Sequence, residues 1–280
     1  MRPAGAWHSC LFVPGNRPER YAKAAASGCH AVIVDLEDSV PAADKAGARD
    51  AAAGWLREGG GAVARLLRVN AADSADFAAD AELCRAAAVD GVVLAKAESV
   101  EQLDALAAGA APLLPLIETA RGLAAVAAIA AHPRTARLLF GALDLQLDLD
   151  IEDEDEGLLL FRSQLVLASR LAGLPPPLDG VTATLRPEAL SCDARRARRL
   201  GFGGKLCIHP AQVAAVNAAF LPSEAQLAWA RRVCAAAERA GGGATTLDGV
   251  MVDLPVLRRA ERVLAAAGAE QARTCRFSKP

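Results

Sequence analysis

Aromatic side chains make up only 4% of this 280-residue chain, which has a single tyrosine and three tryptophans. So sparse a set offers no base-stacking platform, and a formal net charge of −2 offers no basic surface. Neither nucleic acid nor an anionic membrane is therefore an expected partner. No apolar run is long enough to span a bilayer, and no charged-then-apolar leader pattern opens the chain. The seven cysteines (10, 29, 84, 192, 207, 234 and 275) are odd in number and show no CxxC spacing. That argues against a disulfide frame or a zinc site and suits buried, reduced thiols, so the expected setting is cytoplasmic. No strand is followed by a GxGxxG or Walker-A loop, which removes the usual nucleotide-binding sheets.

What the chain does have is apolar bulk: 53% of its residues are hydrophobic, ample for one large core. The most informative stretch is PLLPLIETARG, Pro112 to Gly122. A short apolar run there meets a carboxylate, Glu118, and Thr119 and Arg121-Gly122 then open a helical pattern. Packing gives no reason for a buried strand to finish on an acid. The carboxyl ends of strands are, however, where α/β folds keep their sites. ARLLFGALDL repeats the idea, its apolar run Leu138 to Phe140 leading through Gly141 to Asp144.

Similar units fill the chain. Strands are expected at Ser9 to Gly15, at HAVIVDLED with its three acids Asp35, Glu37 and Asp38, at Ala64 to Asn70 and at Gly91 to Lys96. Two more carry Glu118 and Asp144, a seventh lies near Leu178 to Ala183, and GGKLCIHP makes the eighth, ending at His209. Helical patterns follow them: one from Pro18 through Tyr21 and Lys23, one capped by Asp44 and running to about Leu56, and others over Phe77–Ala88, Val100–Ala108, Leu123–Ala131, Leu158–Leu171 and Pro187–Leu200. Eight strand-then-helix units at roughly 25 to 35 residues each, with strands apolar on both faces, predict a (β/α)8 TIM barrel over residues 1–222. Residues 223–280 are expected to form a C-terminal helical extension and lid. It would hold a helix at Ser223–Ala240, a hinge at Gly241–Gly243, the segment TTLDGVMVD and a last helix from Pro255.

Glu118 and Asp144, on successive strand ends, suit Mg2+, which takes one or two carboxylates and keeps several waters. Either acid alone would more often cap a helix or pair with a lysine. Arg68 and Lys96, on neighbouring strand ends, are placed to meet an anionic group or a developing enolate, with charge balance for the same acids as the plainer role. By alternation Asp35 and Glu37 face one side, and Leu36 and Asp38 the other. His209 is expected as a hydrogen-bonded rim residue more than as a base. Arg17 and Lys23 could clamp phosphates, although a solvated helix face is the commoner outcome. The run Asp148 to Glu156 lacks EF-hand spacing and reads as a solvated loop, and the arginines 195, 196, 198 and 199 as a wet helix face.

In order along the chain, LFVPGNRPER, VIVDLEDSV, RVN, IETARG, FGALDL, GKLCIHPAQ and DGVMVD resemble the citrate lyase β-subunit-like enzymes of the HpcH/HpaI aldolase superfamily, relatives of malyl-CoA and citramalyl-CoA lyases. The resemblance runs from about Ser9 to Val263. It implies a barrel that binds Mg2+ through Glu118 and Asp144, with Arg68 on the substrate carbonyl and the enolate-like oxygen. Phe12, Arg17 and Lys23 would contact the acyl-CoA, and Thr119, Ile208 and His209 the substrate. Asp253 would be a lid aspartate that acts as acid/base in the site of a neighbouring subunit, which implies a homotrimer or hexamer.

The reaction so implied is reversible carbon–carbon cleavage of a 3-hydroxyacyl thioester, such as malyl-, citramalyl- or citryl-CoA, into a 2-oxo acid and an acyl thioester. Three features depart from the pattern, one of them the unusually acidic segment after Asp144. Ala95 stands where a proline usually precedes the strand-four lysine, and Leu143 where an acid commonly precedes Asp144. Other readings remain: a class II aldolase of the same fold acting on a free hydroxy acid, a non-catalytic CoA-binding regulatory subunit, and an acyl-carrier protein in place of CoA.

Overall fold

In a computed structural model the chain is described over residues 7–58, 61, 63–241 and 243–277. Eight strands, β1 (Ser9–Pro14), β2 (Ala31–Asp35), β3 (Ala64–Val69), β4 (Gly91–Leu94), β5 (Leu113–Ile117), β6 (Leu139–Phe140), β7 (Leu178–Asp179) and β8 (Gly204–Cys207), close into a parallel barrel in sequence order. β1 pairs with β8 to complete the ring. The expected TIM barrel is therefore the fold. Around it lie helices α1 (Tyr21–Ala25), α2 (Lys45–Arg57), α3 (Phe77–Ala86), α4 (Val100–Leu106), α5 (Ala120–Ala131), α6 (Ala142–Leu149), α7 (Leu159–Leu171), α8 (Pro187–Leu200) and α9 (Pro210–Phe220).

Two packed layers account for the apolar strands. One parity of each strand, including Cys10, Ile33, Leu66, Val93, Leu114 and Leu206, fills the barrel interior. The other, including Leu11, Val34, Leu67, Leu94 and Ile117, packs against the helices. Carried to the carboxyl end of the strands, the inward parity falls on Phe12, Asp35, Arg68 and Glu118. The register sets Asp35 directly beside Arg68. A period of two thus delivers chemistry-bearing side chains to one rim.

The helix starts follow local rules. Ser99 and Gln102 form a capping box on α4, and Thr119 caps α5 by accepting the Gly122 N–H. α8 ends at Gly201, whose φ of +100° suits a left-handed C-cap.

Several expectations need correction. Strands β3, β4 and β8 stop at Val69, Leu94 and Cys207, so Asn70, Lys96 and His209 stand just beyond them. β7 covers only Leu178–Asp179, not the stretch to Ala183. Asp144 is not at a strand end but in the first turn of α6, a helix the sequence reading did not anticipate, as it did not anticipate α9. Asp44 makes no side-chain cap on α2, its carboxylate accepting instead from the Asn16 amide at 2.8 Å. The acidic run is tied down at Glu154, which pairs with buried Arg162 and with Arg196. Arg196 also meets Asp155 and Asp193, so it is not part of a wet face.

Residues Met1–Phe220 and Leu221–Pro280 are separate compact units. In the second, α10 (Glu224–Arg239) opens with a Ser223–Gln226 capping box. An antiparallel hairpin follows, β9 (Thr245–Leu247) with β10 (Val250–Val252), and then α11 (Leu254–Phe277). Asp248 and Gly249 both have positive φ, as a two-residue primed hairpin turn requires. Of the expected glycine hinge, Gly242 lies outside the described residues, and Gly241 has a φ of +61°. Ala230, Val233, Val252 and Ala260 form this unit's own core. Among the described residues no helix is long and apolar enough to cross a membrane.

Candidate active site

Arg68 is the centre of the rim. Its Nε and Nη2 donate to the two carboxylate oxygens of Asp35 at 2.6 and 2.7 Å, and its Nη1 lies 3.0 Å from Glu37. The guanidinium stacks over the Phe12 ring, 4.9 Å from its centroid. Asp35 and Glu37 both grip the same cation, but β2 ends at Asp35, so strand alternation does not place Glu37, and Asp38, expected on the opposite side, lines the cavity together with Asp35. Burial alone would raise the Asp35 carboxyl, but the Arg68 charge and hydrogen bonds outweigh it and lower the pKa below its ordinary 3.8. The N–H groups of Glu37 and Ser39 complete the shell of Asp35. The two hydrogen bonds to Asp35 use two of the five N–H donors of Arg68, Nη1 also lies against Glu37, and the remaining donors are available to a ligand in the cavity that Arg68 lines.

Glu118 is buried on the same rim, 1% exposed. The Lys96 N–H donates to it at 2.8 Å, from a backbone held at φ +47°, an uncommon conformation for a lysine. The Lys96 ammonium turns away to Glu37, with Asp38 at 3.6 Å. Gly141 makes the room for Glu118: a Cβ built there would stand 2.3 Å from Oε2 and 2.4 Å from the Glu118 Cβ. Burial, and after it the Asp144 carboxylate, push the Glu118 carboxyl up to about 8, against the pull of Arg68 and the Lys96 N–H. A buried acid whose charge the Asp144 carboxylate disfavours, in a slot cut by a glycine, suits a hard divalent cation. Among the described residues no group of three or more His, Cys, Asp or Glu side chains could hold a metal. A pair of carboxylates is a donor set that Mg2+, which retains several waters, can accept.

The five charged groups Asp35, Asp38, Arg68, Glu118 and Asp144 share a cavity of about 390 Å3. Its remaining wall is mostly apolar, with Phe12 and Ile208 among the expected contacts and Leu143 beside Asp144. The other expected residues of the barrel unit lie elsewhere. Thr119 is engaged as the α5 cap. His209 is exposed, and its Nδ1 accepts the Ala211 N–H at 3.1 Å, which leaves Nε2 as the donor of the neutral ring. Arg17 and Lys23 are exposed, Arg17 lying 3.9 Å from Glu19. Asp253 caps α11, accepting the Val256 N–H at 3.2 Å. The sequence reading missed Gly141 as a steric element and the Lys96 backbone as a donor. It also missed buried Gln212, which holds Ile208 and His209 through their N–H groups while donating to the Thr182 carbonyl.

Comparison with known proteins agrees with this architecture. The family model described as HpcH/HpaI aldolase/citrate lyase matches residues 8–210. A citrate lyase subunit beta-like protein of Deinococcus radiodurans is 39% identical over 279 residues, covering 94% of this chain and 98% of that protein. A (3S)-malyl-CoA thioesterase of Cereibacter sphaeroides is 35% identical over 272 residues, covering 94% and 95%. Among solved structures, CitE of Mycobacterium tuberculosis in complex with magnesium, acetoacetate and coenzyme A superposes with a TM-score of 0.85 at 40% identity, over 95% of this chain and all of that one. With a matching model over most of its barrel and relatives that align nearly end to end, this chain belongs to the HpcH/HpaI aldolase/citrate lyase family.

Proposed function

We propose that this protein is a Mg2+-dependent carbon–carbon lyase that cleaves, or forms, a 3-hydroxyacyl thioester of the malyl, citramalyl or citryl type. The products of cleavage are a 2-oxo acid and an acyl thioester such as acetyl-CoA. The observation that carries this reading is the Asp35- and Glu37-held Arg68 beside the Glu118/Asp144 acid pair in one cavity. The magnesium and coenzyme A bound by the Mycobacterium tuberculosis relative supply the ligand classes.

Glu118 and Asp144 would hold the cation. When bound there, Mg2+ supplies Lewis acidity to the oxygens of the 2-oxo acid portion. Cleavage breaks the bond between C2 and C3 of the thioester: the hydroxyl loses its proton, its carbon becomes the carbonyl of the 2-oxo acid, and the bonding pair passes to the thioester enolate. The N–H groups of Arg68 that Asp35 does not take stabilise that enolate oxygen in a partly buried setting, where a fixed donor is most effective. Asp35 and Glu37 keep the guanidinium oriented and neutralise it in advance. Phe12, Arg17 and Lys23 serve the thioester carrier, and Thr119, Ile208 and His209 the substrate. Asp253, from a neighbouring copy in a homotrimer or hexamer, moves the proton from the hydroxyl to the enolate carbon.

The test is incubation with malyl-CoA, citramalyl-CoA and citryl-CoA, each with Mg2+ and with EDTA. Release of a 2-oxo acid with an acyl-CoA, lost in EDTA, is the expected result. Free CoA thiol without any acyl-CoA would replace it with thioester hydrolysis, the activity of the Cereibacter sphaeroides relative. Asp253→Asn is expected to lower kcat about a hundredfold, the usual scale of a lost acid/base group, while Mg2+ affinity stays unchanged. Unaltered kcat would take Asp253 out of the mechanism.

A further inference from the structure

The charged groups of the cavity are unequally divided. Four carboxylates (Asp35, Asp38, Glu118 and Asp144) face one guanidinium, Arg68. The nearest lysines are occupied elsewhere. Lys96 is paired with Glu37, and the Lys45 ammonium donates to the Leu36 carbonyl, the Glu37 carbonyl and the Asn70 amide oxygen at 2.8, 3.1 and 2.6 Å. Both open on a neighbouring hollow rather than on this cavity. A dication held by Glu118 and Asp144 would balance that pair alone and leave no free positive charge for a second carboxylate of the ligand. The rest of the wall is mostly apolar, including Phe12, Leu116, Phe140, Leu143, Val181 and Ile208, with Ser39 the uncharged polar exception. Leu143 lines the cavity beside Asp144 and is 47% exposed, so its side chain is open to contact with an alkyl group of a ligand.

From this division we infer that the cavity selects a monocarboxylic 2-oxo acid with an alkyl substituent and rejects dicarboxylic 2-oxo acids, with Leu143 as the specificity-determining residue. The inference rests on the proposed lyase reading and narrows its substrate class. The single carboxylate joins the 2-oxo group at the acid pair, and the alkyl group lies on the leucine side. A distal carboxylate there would lose its water against apolar wall, in a cavity whose charged groups are mostly acids.

The cleanest comparison is 2-oxobutanoate against oxaloacetate, which share a four-carbon skeleton and differ in a methyl group against a carboxylate. Binding of each to the full chain in Mg2+ buffer, measured by calorimetry, is expected to favour 2-oxobutanoate by about tenfold or more. Leu143→Lys places the missing cation at an exposed position, and should erase or invert that ratio with little change in Tm. Condensation of each acid with acetyl-CoA should follow the same order. Oxaloacetate binding as tightly as 2-oxobutanoate overturns the inference and leaves the lyase reading standing. A preference that Leu143→Lys does not alter removes Leu143 as its cause. If neither acid binds, the lyase reading falls, and this inference with it.

Discussion

Gly141→Ala should nearly extinguish turnover, by about a thousandfold or more, in a protein that still folds. The cause is steric and local. The new methyl would lie 2.3 Å from Glu118 Oε2 and 2.4 Å from the Glu118 Cβ, distances that real atoms do not keep. The Glu118 side chain cannot retreat easily, because it is buried and its other oxygen is fixed by the Lys96 N–H at 2.8 Å. A carboxylate displaced by an ångström costs on the order of a hundredfold in rate, and a disturbed ligand shell another tenfold or so in metal affinity. Overpacking adds a loss of about 1–3 kcal/mol in stability. Shortening Glu118 to aspartate should not rescue the variant, since the clash with the Cβ persists, so a double variant that regained turnover would show that the slot is not what positions the acid. Mg2+ titration and thermal unfolding of both variants separate the two effects.

Why Gly141 escaped the sequence reading is instructive. Its reason for being glycine is a side chain from another strand, and nothing in FGALDL reveals which neighbour occupies the space. Asp35, Arg68 and Glu118 were legible because a strand's period of two carries the inward face straight to the rim, and an acid or arginine in an apolar run is conspicuous. The barrel was legible for the same reason, multiplied by eight units. β6 and β7, at two residues each, fall inside the apolar stretches expected for them, but are too short for the sequence to mark where they end. α6 was obscured by its own composition: Leu143, Leu145, Leu147 and Leu149 alternate as in a strand, yet only Leu145 is fully buried, and Leu143 and Leu147 are exposed. Asp144 was therefore placed on the right rim but on the wrong kind of element. Lys96 was flagged for its ammonium, whereas its contact with Glu118 is made by the backbone in a left-handed conformation that the sequence gives no reason to expect.

Arg68→Met is the second large effect, and it should appear in rate, in stability and in the sign of a pH dependence. On the proposed mechanism Arg68 meets the enolate oxygen, so its removal should lower kcat about a hundred- to thousandfold, the scale seen when one oxyanion donor is lost. The stability cost arises at Asp35, 2% exposed, which would keep its charge in the barrel mouth without its cation, at about 3–5 kcal/mol for a broken buried pair. In the native protein the Asp35 pKa is lowered, so its stabilising share is complete above the ordinary value of 3.8 and is lost as pH falls through the lower folded value. Without Arg68, burial becomes the dominant cause and the folded pKa rises above 3.8, so the same group then loses stability as pH increases beyond that value. Thermal unfolding followed from acid to neutral pH should show Tm rising with pH for the native chain over the acid limb, and falling or flat for Arg68→Met. Asp35→Asn added to Arg68→Met should recover much of the Tm by removing the stranded charge, but none of the turnover. Arg68→Lys should fall between, because an ammonium keeps the charge yet cannot span both oxygens of Asp35 and still present two donors to the cavity. A double variant that regained activity with its stability would mean that Arg68 serves the fold alone.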